Sequence, residues 1–105
     1  MTTAGLIPAM TQRIVLGFKP LRVILFGSQA RGDASQHSDI DLLVVLPKVV
    51  NKRQTTIEIR QMLTDFPIGK DIIVTTPDEI ARRGDLVGTV LRPALREGKV
   101  IYERT

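Results

Sequence analysis

The residues that could do chemistry fall between Val23 and Val45, VILFGSQARGDASQHSDIDLLVV. Val23 to Phe26 is β-branched and apolar enough for a buried strand, and Gly27 ends it. A Gly-Ser turn at a strand exit, followed by a short helical turn, presents backbone N–H groups to an anion with no side chain in the way. Ser28 adds a hydroxyl donor, and Arg31 is placed to add a cation with a forked guanidinium. A second strand begins near Asp39. Alternation along it puts Asp39 and Asp41 on one face and Ile40 on the other. Strand geometry sets those two carboxylates roughly 6–7 Å apart. At an effective dielectric of about 20 they repel by on the order of 2–3 kcal/mol, and Asp is a poor strand former. A hard dication between them offsets the repulsion, and Mg²⁺ takes a few carboxylates together with phosphate oxygens.

Taken alone, each half of this pattern is weak. A Gly-Ser turn by itself says almost nothing, and an Asp-x-Asp at a strand entrance is often solvated or part of a helix cap. One at a strand exit and the other at the next strand entrance form a far more specific combination. Gly27-Ser28-Gln29-Ala30-Arg31-Gly32 followed by Ser38-Asp39-Ile40-Asp41-Leu42 resembles the signature of the nucleotidyltransferase superfamily typified by DNA polymerase beta. It is most similar to the minimal, single-domain bacterial and archaeal branch. The fingerprint covers about a fifth of the chain, and the order of strands and helices fits along most of the rest.

The resemblance implies a small mixed β-sheet with flanking helices, an α/β (α+β) fold of the polymerase beta-like type. It implies that Gly27 and Ser28 bind the phosphates of a nucleoside triphosphate, that Arg31 touches the triphosphate or braces the loop, and that Asp39 and Asp41 ligate two Mg²⁺ ions. Asp71, at the entrance of the third strand, is the candidate third carboxylate. By resemblance it sits at the catalytic metal and could take the proton from the incoming nucleophile; the plainer alternative is a strand-edge aspartate that is solvated or paired with Lys70. The implied reaction transfers AMP from ATP to an acceptor hydroxyl, releasing pyrophosphate. Single-domain members of the branch are commonly paired with a helical HEPN toxin, which some of them neutralise by adding AMP to one of its tyrosines. Two other readings stay open: an inert antitoxin that only masks its partner, and a small-molecule nucleotidyltransferase whose acceptor pocket a homodimer or partner completes.

The elements that must position these residues can be read in order. Ile7, Met10, Ile14 and Phe18 fall at helical spacing, which predicts an amphipathic helix over Ala4 to Gly17 with Pro8 in its first turn, and Gly17 and Pro20 punctuating its end. Leu21 to Phe26 is the first strand. Gln29 to Ser38 is a polar loop in which Asp33 and His37 read as solvated. Leu42 to Leu46 is a continuous apolar run, as for a strand covered on both faces, and Pro47 stops it. Asn51 to Thr64 reads as a helix with Ile59, Met62, Leu63 and Phe66 on one face and a solvated Lys52-Arg53 start. Lys70 to Val74 is the third strand. Thr76-Pro77-Asp78-Glu79 has the form of a capping box, opening a helix that fades at Gly84. Val87 to Leu95 continues an apolar face that Pro93 should kink or divide, and Val100 to Tyr102 reads as an edge strand. Gathering the end of strand one with the starts of strands two and three requires strand two antiparallel to one and strand three parallel to two, with a helical crossover.

Composition is consistent with this reading. A chain of 105 residues with 43% hydrophobic and 25% charged residues is ordinary globular material, and one domain over residues 1–105 is expected. The absence of cysteine removes disulfides and thiolate metal sites and fits a reducing cytoplasm. No apolar run approaches the ~20 residues of a membrane span. A net charge of +4 suits a nucleotide partner. With only four aromatic residues and no basic block, direct nucleic-acid binding is not expected.

Overall fold

The computed structural model describes residues 3–31, 39–84 and 91–104. Gly32, Asp33, His37, Ser38 and Val87, named above, lie outside the described residues. The elements are α1 (Thr3–Phe18), β1 (Arg22–Phe26), α2 (Ser28–Arg31), β2 (Ile40–Val45), α3 (Lys52–Met62), β3 (Lys70–Thr75), α4 (Pro77–Arg83), α5 (Leu91–Glu97) and β4 (Lys99–Glu103). The strands form one mixed sheet in the order β3-β2-β1-β4. β1 is antiparallel to both its neighbours, while β2 and β3 run parallel. The crossover between the parallel pair carries α3, as the placement of the acidic residues requires.

Strand alternation sorts the apolar side chains onto two faces. One face carries Val23, Leu25, Ile40, Leu42, Val44, Ile72 and Val74, and it is covered by Leu6, Met10 and Ile14 of α1 and by Ile59, Leu63 and Phe66 around α3. Met10, Ile14, Ile59 and Leu63 are fully buried. Each contributes about 1.5–3 kcal/mol relative to exposure. The other face carries Ile24, Leu43 and Val45 beneath Leu91 and Ala94 of α5. β2 is buried on both faces from Leu42 to Val45, which is why its sequence is an uninterrupted apolar run.

One helix detail differs from the sequence reading. α1 runs through Gly17 and stops one residue later, because Lys19 takes a left-handed φ of 50° and its N–H bonds to Val15 O at 3.0 Å. Pro93 lies within α5, and the part of the expected Val87 to Leu95 segment before Leu91 lies outside the described residues.

The capping box at α4 is half formed. Thr76 is the N-cap and accepts from Glu79 N at 3.2 Å, but the Glu79 carboxylate does not return to the cap. It accepts from the buried Thr75 hydroxyl at 2.5 Å and from Lys52 Nζ at 2.9 and 3.0 Å. Lys52 is therefore an ion-pair partner rather than a solvated helix start. The cluster ties the starts of α3 and α4 to the end of β3, opposite the end where the acidic residues lie. Burial raises the pKa of Glu79, and the Thr75 and Lys52 contacts outweigh it, so the carboxyl lies below its ordinary value.

Candidate active site

β1 ends at Phe26, which pairs with Asp41 of the antiparallel β2; Asp41 in turn pairs with Asp71 of the parallel β3. One line across three strands thus gathers the end of β1 with the entrances of β2 and β3. Alternation puts Asp41 on the face of Leu43 and Val45, and Asp71 on the face of Ile73. Neighbouring strands lie about 4.8 Å apart, so the two carboxylates are lateral neighbours.

Gly27 follows directly and makes this approach possible. Its φ is 72°, which disfavours any side chain, and a Cβ there would overlap the Asp41 carboxylate. Its carbonyl accepts the N–H groups of Ala30 and Arg31, each at 3.1 Å, which starts α2. Ser28 is the first residue of that helical turn; its side chain lies outside the described residues. Arg31 ends α2 and is exposed. Its Nη1 lies 3.9 Å from Glu97 Oε2, and its charge also favours the ionised form of Asp41.

Asp39 precedes β2 rather than opening it, and it is exposed. Its carboxylate lies against Gly69, where a Cβ would overlap it, and the Gly69 carbonyl accepts the Ile40 N–H at 3.0 Å. Gly69 therefore lets the segment before β3 pass beside the first aspartate. The sequence marks it only as part of a turn.

Asp41 is the electrostatic centre of the group. Desolvation raises its pKa first, the Asp71 charge second and the Asp39 charge third, with Arg31 opposing all three. Asp71 is exposed at the sheet edge and its carboxylate meets Arg60 of α3 at 3.4 Å. It does not pair with Lys70, whose ammonium instead donates to the carbonyls of Phe66 at 3.2 Å and Ile68 at 2.8 Å. The Arg60 contact was not foreseen in the sequence, where Arg60 is an unremarkable polar position beside Ile59.

Among the described residues no three acidic, histidine or cysteine side chains converge as a ready metal site. The donor chemistry nevertheless suits a hard dication, because Asp39, Asp41 and Asp71 supply only carboxylate oxygens, and burial together with the Asp71 and Asp39 charges makes the ionised form of Asp41 costly, a cost that a cation offsets. What keeps the set open is visible in the contacts: Asp39 rests on Gly69 and Asp71 is held by Arg60. No helix among the described residues is long and apolar enough to cross a membrane.

The comparisons with known proteins bear on this arrangement. A crystal structure of a Sulfolobus solfataricus protein, provisionally called a nucleotidyltransferase, superposes with a TM-score of 0.67 at 24% identity, over 95% of this chain and 79% of that one. A toxin–antitoxin structure with AMP-PNP superposes with a TM-score of 0.66 at 20% identity, over 92% of this chain and 73% of that one. At these identities the likeness is one of fold. No curated protein matches the chain. The family profile described as nucleotidyltransferase domain matches residues 11–92, a span holding Gly27, Asp39, Asp41 and Asp71. The chain belongs to the nucleotidyltransferase domain family.

Proposed function

We propose that the protein, acting as one domain over residues 1–105, transfers AMP from ATP to a hydroxyl of a partner protein, a tyrosine of a helical HEPN-type toxin, and so serves as its antitoxin. The observation that carries this reading is the in-register opposition of Asp41 and Asp71 beside the Gly27 turn. It brings the carboxylates to the strand end where a phosphate-binding turn belongs. A structural neighbour that is a toxin–antitoxin assembly with an ATP analogue supports the choice of partner and of nucleotide.

In the proposed reaction the acceptor oxygen attacks the α-phosphorus. The bond to the bridging oxygen of the β-phosphate breaks, and pyrophosphate leaves with the electron pair. Asp71, on the outer strand, takes the acceptor proton. Gly27 and Ser28 hold the β- and γ-phosphates through the turn, and Arg31 adds positive charge on the same side. Asp39, Asp41 and Asp71 would hold two Mg²⁺ ions, which when bound supply charge stabilisation at the attacking and leaving oxygens. The protein's own contribution is positioning and preorganised electrostatics.

One observation favours a second reading. Asp71 is engaged by Arg60, so the three carboxylates do not converge, as a vestigial site in a purely masking antitoxin would also show. Release of pyrophosphate separates the two. The proposed enzyme releases it from Mg-ATP only when the partner is present; the mask releases none.

A further inference from the structure

Across the sheet the order is Gly27 after β1, Asp41 on β2, Asp71 on β3 and then Arg60 on α3. Arg60 lies in the last turn of α3, next to the fully buried Ile59. Its carbonyl accepts the Leu63 N–H at 3.1 Å and the Thr64 hydroxyl at 3.2 Å. The backbone bearing the guanidinium is thus anchored by core packing, while the side chain keeps 52% of its surface exposed and can swing. Lys70, the cation adjacent to Asp71 in the chain, is committed to two backbone carbonyls. Arg31, on α2 after β1, acts on Asp41 through its charge.

We propose that Arg60 is a resident counter-ion for Asp71: it holds the third carboxylate when no dication is bound and competes with the ion for that carboxylate. This rests on the metal-dependent reading above and adds to it a residue that sets how readily the site loads. Arg60 is a positioning residue here, acting through Asp71. A guanidinium and a dication repel each other, and both seek the oxygens of Asp71. Loading the site therefore requires Arg60 to release Asp71, which its exposed position allows.

The test is Mn²⁺ binding followed by the electron paramagnetic resonance signal of the free ion, at low ionic strength and without nucleotide. Arg60→Gln should bind Mn²⁺ about two- to fivefold more tightly than the parent, the range for an exposed ion pair removed from competition. Arg60→Lys, which keeps the charge, should stay within about twofold of the parent. In an Asp71→Asn background, Arg60→Gln should give no further gain, because the contested carboxylate is gone. Circular dichroism melts establish that each variant is folded. Weaker or unchanged binding in Arg60→Gln overturns the proposal and leaves the metal-dependent reading standing. A gain that survives in the Asp71→Asn background also overturns it, because Arg60 would then act only through its distant field. If neither parent nor variant binds Mn²⁺, the metal-dependent reading fails and takes this proposal with it.

Discussion

Asp41 and Asp71 stand directly opposite each other on adjacent parallel strands, with their entrances at the same end of the sheet. Burial of the Asp41 carboxylate costs stability first and the anion in register beside it adds to that cost, which appears as a raised pKa at Asp41. The fold tolerates the pair because β2 is otherwise buried on both faces and pinned by both neighbours.

The first prediction follows from that cost. A carboxyl whose folded pKa is raised above its ordinary 3.8 binds protons more tightly when folded. Stability contributed by this group is therefore greatest below 3.8 and falls as pH rises through the raised value. Asp41→Asn should melt at the same temperature as the parent or higher at neutral pH without metal. After solvent screening the gain is at most about 1 kcal/mol, or roughly 4–8 °C for a domain of this size. It should shrink to nothing on acidification towards pH 3. Melting curves across pH check this, and a neutral-pH loss in Asp41→Asn would contradict it.

The Glu79 cluster gives the opposite sign. The folded pKa of Glu79 lies below its ordinary 4.5, so its stabilisation is fully present above 4.5 and disappears as pH falls through the depressed value. Glu79→Gln should cost about 1 kcal/mol at neutral pH, the typical value of a lost hydrogen-bonded contact. The cost should vanish in acid. Urea unfolding at neutral and acid pH measures both, and an equal cost at the two pH values would rule out the charge as the cause.

Gly27 can be tested through its backbone. A side chain at φ 72° costs about 1–2 kcal/mol, and Gly27→Ala also drives a Cβ into the Asp41 carboxylate. Asp41→Ala in the same chain should recover the steric part and leave the conformational part. Denaturant midpoints of the two single variants and the double variant give the coupling. Strict additivity would show that the two residues do not meet.

Ser28→Ala removes one proposed donor to the triphosphate. Hydrogen bonds to charged groups are worth roughly 1.5–3 kcal/mol, so Mg-ATP affinity should fall about tenfold or more while the fold stays intact. Titration calorimetry reads it, and an unchanged affinity would place the phosphates elsewhere.

Much of the placement of the candidate residues was legible because they sit at strand ends close in sequence. Gly27 directly follows β1 and Asp41 is the second residue of β2, so locating them needs only the two strand boundaries. The antiparallel and parallel pairings followed from where the carboxylates had to meet, and β1, β2 and β3 pair in that way. Asp71 was legible only by its position at a strand entrance. Arg60 was not, because its contact with Asp71 depends on how α3 sits against β3, and helical periodicity specifies the buried face of Ile59 but not what the flanking residue reaches. Lys52 and Glu79 were hidden for the same reason, being 27 residues apart and joined only when α3 and α4 both start at the end of the sheet. The contact of Gly69 with Asp39 is a close approach of the backbone before β3 to a carboxylate, which sequence registers only as a glycine in a turn.

The central claim is that this acidic group moves AMP onto a partner protein. The most direct measurement is the intact mass of a helical HEPN-type toxin, the proposed partner, after incubation with this protein and Mg-ATP, paired with growth rescue in cells expressing both. The account predicts a mass gain of one or more AMP units with the parent. With Asp39→Asn or Asp41→Asn it predicts binding without any gain, and toxicity that persists. Rescue by both variants as complete as by the parent, with the partner's mass never shifting, would contradict it.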